Sequence, residues 1–104
     1  MTAGTFYYRM QERGRGYYGI KKIQVVNPTG LHLRPAGLVC QTSMKFTSKV
    51  NLLYKDKEIN AKSVLNVMAA GIKCGTEIEV CCEGPDEKEA LEAVCKLIET
   101  ELKD

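Results

Sequence analysis

Asn27-Pro28-Thr29-Gly30-Leu31-His32-Leu33-Arg34-Pro35-Ala36 joins two segments of different period, and its reading decides the fold. Upstream, Ile20-Lys21-Lys22-Ile23-Gln24-Val25-Val26 is rich in β-branched residues and predicts a strand. Asn27-Pro28-Thr29-Gly30 has turn chemistry and ends that strand. Downstream, a helix is expected from about Arg34 to Met44, with Pro35 in the first turn, where a missing N–H costs little. Ala36, Val39, Cys40 and Met44 recur at helical spacing and predict its buried stripe. Gly37 weakens a helix by roughly 1 kcal/mol, which predicts a close contact at that point.

The remaining elements follow the same logic. Val50, Leu52 and Tyr54 alternate along a strand over 49–54, and Lys55-Asp56 makes a tight turn into a short strand near Glu58–Asn60. A short helix has Ser63 as its N-cap and Gly71 as its stop. Ile78, Val80 and Cys82 alternate inward along a strand over 76–83, which Gly84-Pro85 ends. The last helix begins at Asp86 with Glu89 as capping-box partner, and carries Leu91, Val94, Cys95, Ile98 and Leu102 as its apolar stripe. The order β-α-β-β-α-β-α predicts an α+β fold. It is an open-faced β-sandwich: a four-stranded antiparallel sheet with three helices on one face.

The chain of 104 residues is one domain in length, and its 44% hydrophobic and 27% charged residues are those of a globular protein. No apolar run approaches the roughly 20 residues of a membrane-spanning helix, and no secretory signal is legible. A cytoplasmic protein with no membrane partner is expected. The net charge of +2 resides in residues 1–18, which hold Arg9, Arg13 and Arg15 against Glu12. The folded part therefore has no basic field for nucleic acid. Residues 1–18 also hold Tyr7, Tyr8, Tyr17 and Tyr18 and lack a helix or strand period. They are expected to be a flexible N-terminal extension, either native or left by an upstream start or by expression, preceding a domain over 19–104. Arginine beside aromatics can bind single-stranded nucleic acid, a weak signal in a run this short. Cys40, Cys74, Cys81, Cys82 and Cys95 show no metal-binding or disulfide pattern and read as reduced, small apolar residues. No metal and no organic cofactor is implied.

His32 is the one histidine, and it lies between a strand end and a helix start. Amide groups at a helix N-terminus have no intrahelical partner, and the dipole adds positive charge there, so phosphate is well held. Arg34 can bring a guanidinium to the same oxygens. Neutral imidazole is a nucleophile that titrates near neutral pH. Nucleophile, donors and exposure together suit phosphoryl transfer, in which a protein supplies mainly position and charge stabilisation. A lone histidine near a helix start is nevertheless more often a cap or a surface residue.

The stretch from Pro28 to Ala36 resembles the active-site motif of the histidine-containing phosphocarrier proteins (HPr) of the phosphoenolpyruvate-dependent sugar phosphotransferase system. The resemblance continues through Gln41–Phe46, Val50–Leu52, Asn60–Met68, Gly71-Ile72 and Gly84–Glu87, covering about residues 20–102. It implies that His32 is phosphorylated on Nδ1 by enzyme I, that Arg34 supports the phosphohistidine, and that Thr29 assists the loop. It implies phosphoryl acceptors in the A domains of sugar-specific enzymes II. Ser63 matches the serine phosphorylated by HPr kinase/phosphorylase, whose product engages a catabolite-control transcription factor; capping alone also justifies a serine there. Leu33, Val64, Leu65 and Met68 would form a docking patch, wherever they are not core. Leu33, Leu65 and Asn66 depart from the residues frequent in the family, which bears on partner choice. The implied protein is a monomeric carrier rather than an enzyme. The alternatives are a regulatory, nitrogen-type phosphocarrier, a binding module controlled at Ser63, and a nucleic-acid binder acting through residues 1–18.

Overall fold

A computed structural model describes residues 7–10 and 17–102, with the surroundings of side chains over 19–102. Five strands form one antiparallel sheet: β1 Tyr7–Met10, β2 Tyr17–Gln24, β3 Lys49–Tyr54, β4 Lys57–Asn60 and β5 Glu77–Glu83. Their spatial order is β1-β2-β5-β3-β4. The helices are α1 Leu33–Met44, α2 Val64–Ala69 and α3 Glu87–Lys96. No helix among the described residues is long and apolar enough to cross a membrane.

The expected antiparallel core, β2-β5-β3-β4, is present with all three helices. Ile23, Val25, Val50, Leu52, Ile78, Val80 and Cys82 face them, in one buried cluster with Ala36, Val39, Leu91, Val94 and Ile98. The strand registers bring those alternating residues to one side: Ile23 opposes Ile78, Leu52 opposes Val80, and Val50 opposes Cys82. Burial of this apolar surface is the main term that holds helices to sheet. Lys55 and Asp56 both have positive φ, 50° and 63°, the signature of a two-residue hairpin turn whose twist suits β3 and β4.

Several expectations need correction. The expected four strands are joined by a fifth, β1, which adds Tyr7–Met10 beside Tyr17–Ile20. Residues 7–10 and 17–18 were expected to lie outside any strand. The tyrosines at both ends of the pair favour strands, and β2 offers an unpaired edge that backbone hydrogen bonds can satisfy. Residues 1–6 and 11–16 lie outside the described residues. In α1, Ser43 rather than Met44 completes the buried stripe, since Ala36, Val39 and Ser43 are buried while Met44 is 63% exposed. The close contact expected at Gly37 is absent, because a Cβ there would meet nothing within 4 Å. The Asp86–Glu89 capping box does not form either: Asp86 is the N-cap of α3 but makes no side-chain cap bond. Its carboxylate is taken by a stronger donor set, the Thr47 and Ser48 amides at 3.0 and 2.9 Å and the Ser48 hydroxyl. Finally, α3 runs on into a wider π-helical turn, Leu97–Glu101, in which the Leu102 N–H reaches the Leu97 carbonyl. Glu99, on that turn, pairs with nearly buried Lys21 of β2 at 3.3 Å.

Two glycines let backbones touch. At Gly84 a Cβ would stand 2.6 Å from the Ser48 Cα, so the strand end can close on the residue that Asp86 grips. Gly30 has φ +71°, and a Cβ there would stand 2.5 Å from the Ile72 carbonyl oxygen and 2.8 Å from the Lys73 Cα. The adjoining Leu31 N–H donates to that same Ile72 oxygen at 2.9 Å. The turn before α1 is thus seated on the loop between α2 and β5.

Replacing Gly30 by alanine combines a left-handed backbone with a backbone clash, and should cost roughly 3 kcal/mol in urea unfolding. The Ser48 hydroxyl, aided by the Thr47 and Ser48 amides and opposed by desolvation, holds the Asp86 carboxyl down to about 2. An unfolded aspartate titrates near about 4. The native state thus favours the carboxylate, and this contribution is complete above about pH 4 and lost as pH falls toward about 2. Asp86→Asn should lower the urea midpoint at neutral pH and flatten its decline over that acid range.

Candidate functional site

His32 is the N-cap of α1, with extended backbone (φ −76°, ψ −169°) and a side chain that makes no capping bond. Its ring is exposed, as are Leu33 and Arg34. The first intrahelical bond runs from the Ala36 N–H to the His32 carbonyl at 2.7 Å. The Leu33 and Arg34 amides therefore precede the ladder, and Pro35 has no N–H to offer. The first turn of α1 contains no acidic residue, so no carboxylate offsets the positive end of the helix. Thr29, on the turn, is exposed as well. One short stretch thus brings Thr29, His32, Arg34 and unpartnered amides to the surface together.

The turn is held from below. Asn27 is 2% exposed, and it bonds Gly30 twice: its carbonyl accepts from the Gly30 N–H at 3.0 Å, and its side-chain Nδ2 donates to the Gly30 carbonyl at 2.5 Å. Its Oδ1 is buried, with no hydrogen-bond partner among the described residues. The sequence marked Asn27 only as a turn former; nothing in it showed that the side chain turns inward.

Ser63 is the N-cap of α2, and its oxygen accepts from the Asn66 N–H at 3.2 Å. It is half-buried. It does not share the His32 loop, but α1 packs against α2. The Cys40 thiol of α1 donates to the Lys62 carbonyl, one residue before Ser63, at 3.2 Å. Lys62 in turn donates from Nζ to the Phe46 carbonyl at 2.8 Å.

The four docking candidates separate by helical phase. Leu33 is 65% exposed, Leu65 78% and Met68 37%, whereas Val64 packs against the core beside fully buried Val67. Residues 64 and 67 are one turn apart on the inner side of α2, and 65 and 68 lie on the next stripe round. Met44 joins the exposed apolar residues. Three turns of helix separate it from Leu33, so both lie on one side of α1, with the open Gly37 between them.

The buried thiols belong to the core. Burial pushes Cys95 up to about 12 and raises Cys82 further still, so both remain protonated and packed. Cys74 is exposed on the loop beneath Gly30, with its thiol 3.6 Å from the Val26 carbonyl.

Comparison with known proteins identifies the family. A family model described as the PTS HPr component phosphorylation site matches residues 20–100. The phosphocarrier protein HPr of Treponema pallidum is 40% identical over 85 residues, covering 82% of this chain and 97% of that protein. The crystal structure of HPr-C-His from Thermoanaerobacter tengcongensis superposes with a TM-score of 0.74 at 40% identity, covering 76% of this chain and 89% of that one. The solution structure of Crh, the catabolite repression HPr of Bacillus subtilis, has a TM-score of 0.62 at 38% identity, covering 80% and 99% respectively. Exposed His32, the start of α1 and strands β3, β4 and β5 all fall within the matched region, and the chain belongs to the HPr family of phosphocarriers of the phosphotransferase system.

Proposed function

We propose that this chain carries a phosphoryl group on His32 in the phosphoenolpyruvate-dependent sugar phosphotransferase system, receiving it from enzyme I and passing it to the A domains of enzymes II. The observation that carries the reading is His32 at the exposed start of α1, next to amides that have no partner in the helix. In the accepting step a neutral ring nitrogen attacks phosphorus, so that a P–N bond forms as the bond to the donor breaks. The Leu33 and Arg34 amides and the Arg34 guanidinium would hold the phosphoryl oxygens, with Thr29 beside them. The donation step reverses this at the acceptor. The protein ends each half-step modified and depends on its partners' active sites, which makes it a carrier rather than a catalyst. It would work as a cytoplasmic monomer. Its domain is 19–104, with residues 1–18 as an appendage whose Tyr7–Met10 and Tyr17–Tyr18 segments extend the sheet.

Docking would use Leu33, Leu65 and Met68, with Met44 farther along α1, whose exposure suits an apolar contact with several partners. Ser63 would be the regulatory site for HPr kinase/phosphorylase. Similarity to a catabolite repression HPr favours a role with a catabolite-control transcription factor as well. A phosphate on Ser63 would meet the N-terminus of α2 and add charge beside Leu65 and Met68.

With phosphoenolpyruvate and a bacterial enzyme I, the wild-type chain should gain one acid-labile, base-stable phosphoryl group by mass, and His32→Ala should gain none. Absence of label on the folded wild type with several enzymes I would overturn the carrier reading. With ATP and an HPr kinase/phosphorylase, an acid-stable phosphate should appear that Ser63→Ala abolishes. The phosphorylated form should accept phosphoryl from enzyme I at least roughly tenfold more slowly, through like charge at the docking face.

A further inference from the structure

We infer that Asn27 is a positioning residue for the chemistry at His32, an inference that rests on the phosphocarrier reading. The His32 side chain makes no capping bond, so its placement comes from the backbone just before it. That backbone is fixed at two adjacent residues. Leu31 is tied by its N–H to the Ile72 carbonyl at 2.9 Å. Gly30 is tied to Asn27 through both its N–H and its carbonyl, the second bond coming from the Asn27 side chain at 2.5 Å. A peptide unit held at both ends cannot rotate without breaking a bond, and the Gly30 carbonyl belongs to the peptide that leads into Leu31 and His32.

The Oδ1 of the same side chain points the same way. Asn27 is 2% exposed, and among the described residues no group donates to this oxygen. A buried polar side chain calls for a specific reason. The donation from Nδ2 supplies it. The bond orients the Gly30 peptide and thereby sets the imidazole against the Leu33 and Arg34 amides, where about 1 Å of misplacement can cost a hundredfold in rate. Asn27 is buried beneath the turn and acts on the site only through the Gly30 backbone.

The test compares Asn27→Ala with Asn27→Ser, which differ by one hydroxyl able to donate to the Gly30 carbonyl. Phosphorylation by enzyme I is followed at several carrier concentrations, below the melting temperature of each variant. Asn27→Ala should lose about 10–100-fold in kcat with KM changed less than about twofold, and Asn27→Ser should recover at least about fivefold of that loss. Asn27→Asp, which keeps the shape and removes the donor, gives the same contrast with Asn27→Ser if the alanine variant does not fold. A kcat equal to wild type in the donor-less variants, an equal loss with serine and alanine, or a loss confined to KM would overturn the inference while leaving the carrier reading intact. If the wild-type chain takes no phosphoryl group at all, the carrier reading fails and this inference falls with it.

Discussion

The contact on which the site depends is the seating of the Asn27–Leu31 turn on the loop that follows α2. Gly30 approaches Ile72 and Lys73 so closely that no side chain fits, and Leu31 bonds the same carbonyl that Gly30 faces. The loop beneath is itself bound to the residue that follows β2, for the Val25 N–H reaches the Thr76 carbonyl and the Gly75 N–H reaches the Val25 carbonyl. A rigid sheet thus holds a loop, the loop holds a turn, and the turn holds the start of α1. Exposed His32 needs that chain of supports, because no capping bond of its own fixes it.

A second clamp works at the far end of the sheet. Asp86 binds Thr47 and Ser48, and Gly84 leaves room for the approach, so the start of β3 and the start of α3 are joined through one carboxylate. The exchange of a local cap for this long-range contact is energetically sensible. One oxygen pair satisfies two amides and a hydroxyl, whereas a capping box would satisfy amides of its own helix alone. The Glu87 carboxylate accepts from the Gly84 N–H and takes up part of the vacated local work.

The helical face supports two different surfaces. Val64 and Val67 turn inward and hold α2 to the core, leaving Leu65 and Met68 exposed. Cys40, half-buried, links α1 to the residue before Ser63. The start of α2, with Ser63 as its cap, is thereby packed against the middle of α1, two turns beyond His32. The opposite face of the sheet carries an unexpected feature: Ile20 is fully buried there, in register with Tyr7 of β1 and Cys81 of β5.

Sequence by itself determined the order of elements, because periods of 2 and 3.6 are local properties that burial on one face imposes on every strand and helix. Ile78, Val80 and Cys82 on β5, the stripe of α3 and the Ser63 cap were legible for that reason. The placing of His32, Leu33 and Arg34 at a helix start was legible too, since it needs only neighbours in the chain. What tertiary structure decided were the contacts between segments distant in sequence: Asp86 with Ser48, Lys21 with Glu99, Gly30 with Ile72, and β1 on the edge of β2. Residue types at single positions do not encode such pairings. Met44 and Ser43 show the limit at its smallest scale, for one step around a helix exchanges core for solvent, and only the neighbours packed against α1 choose between them.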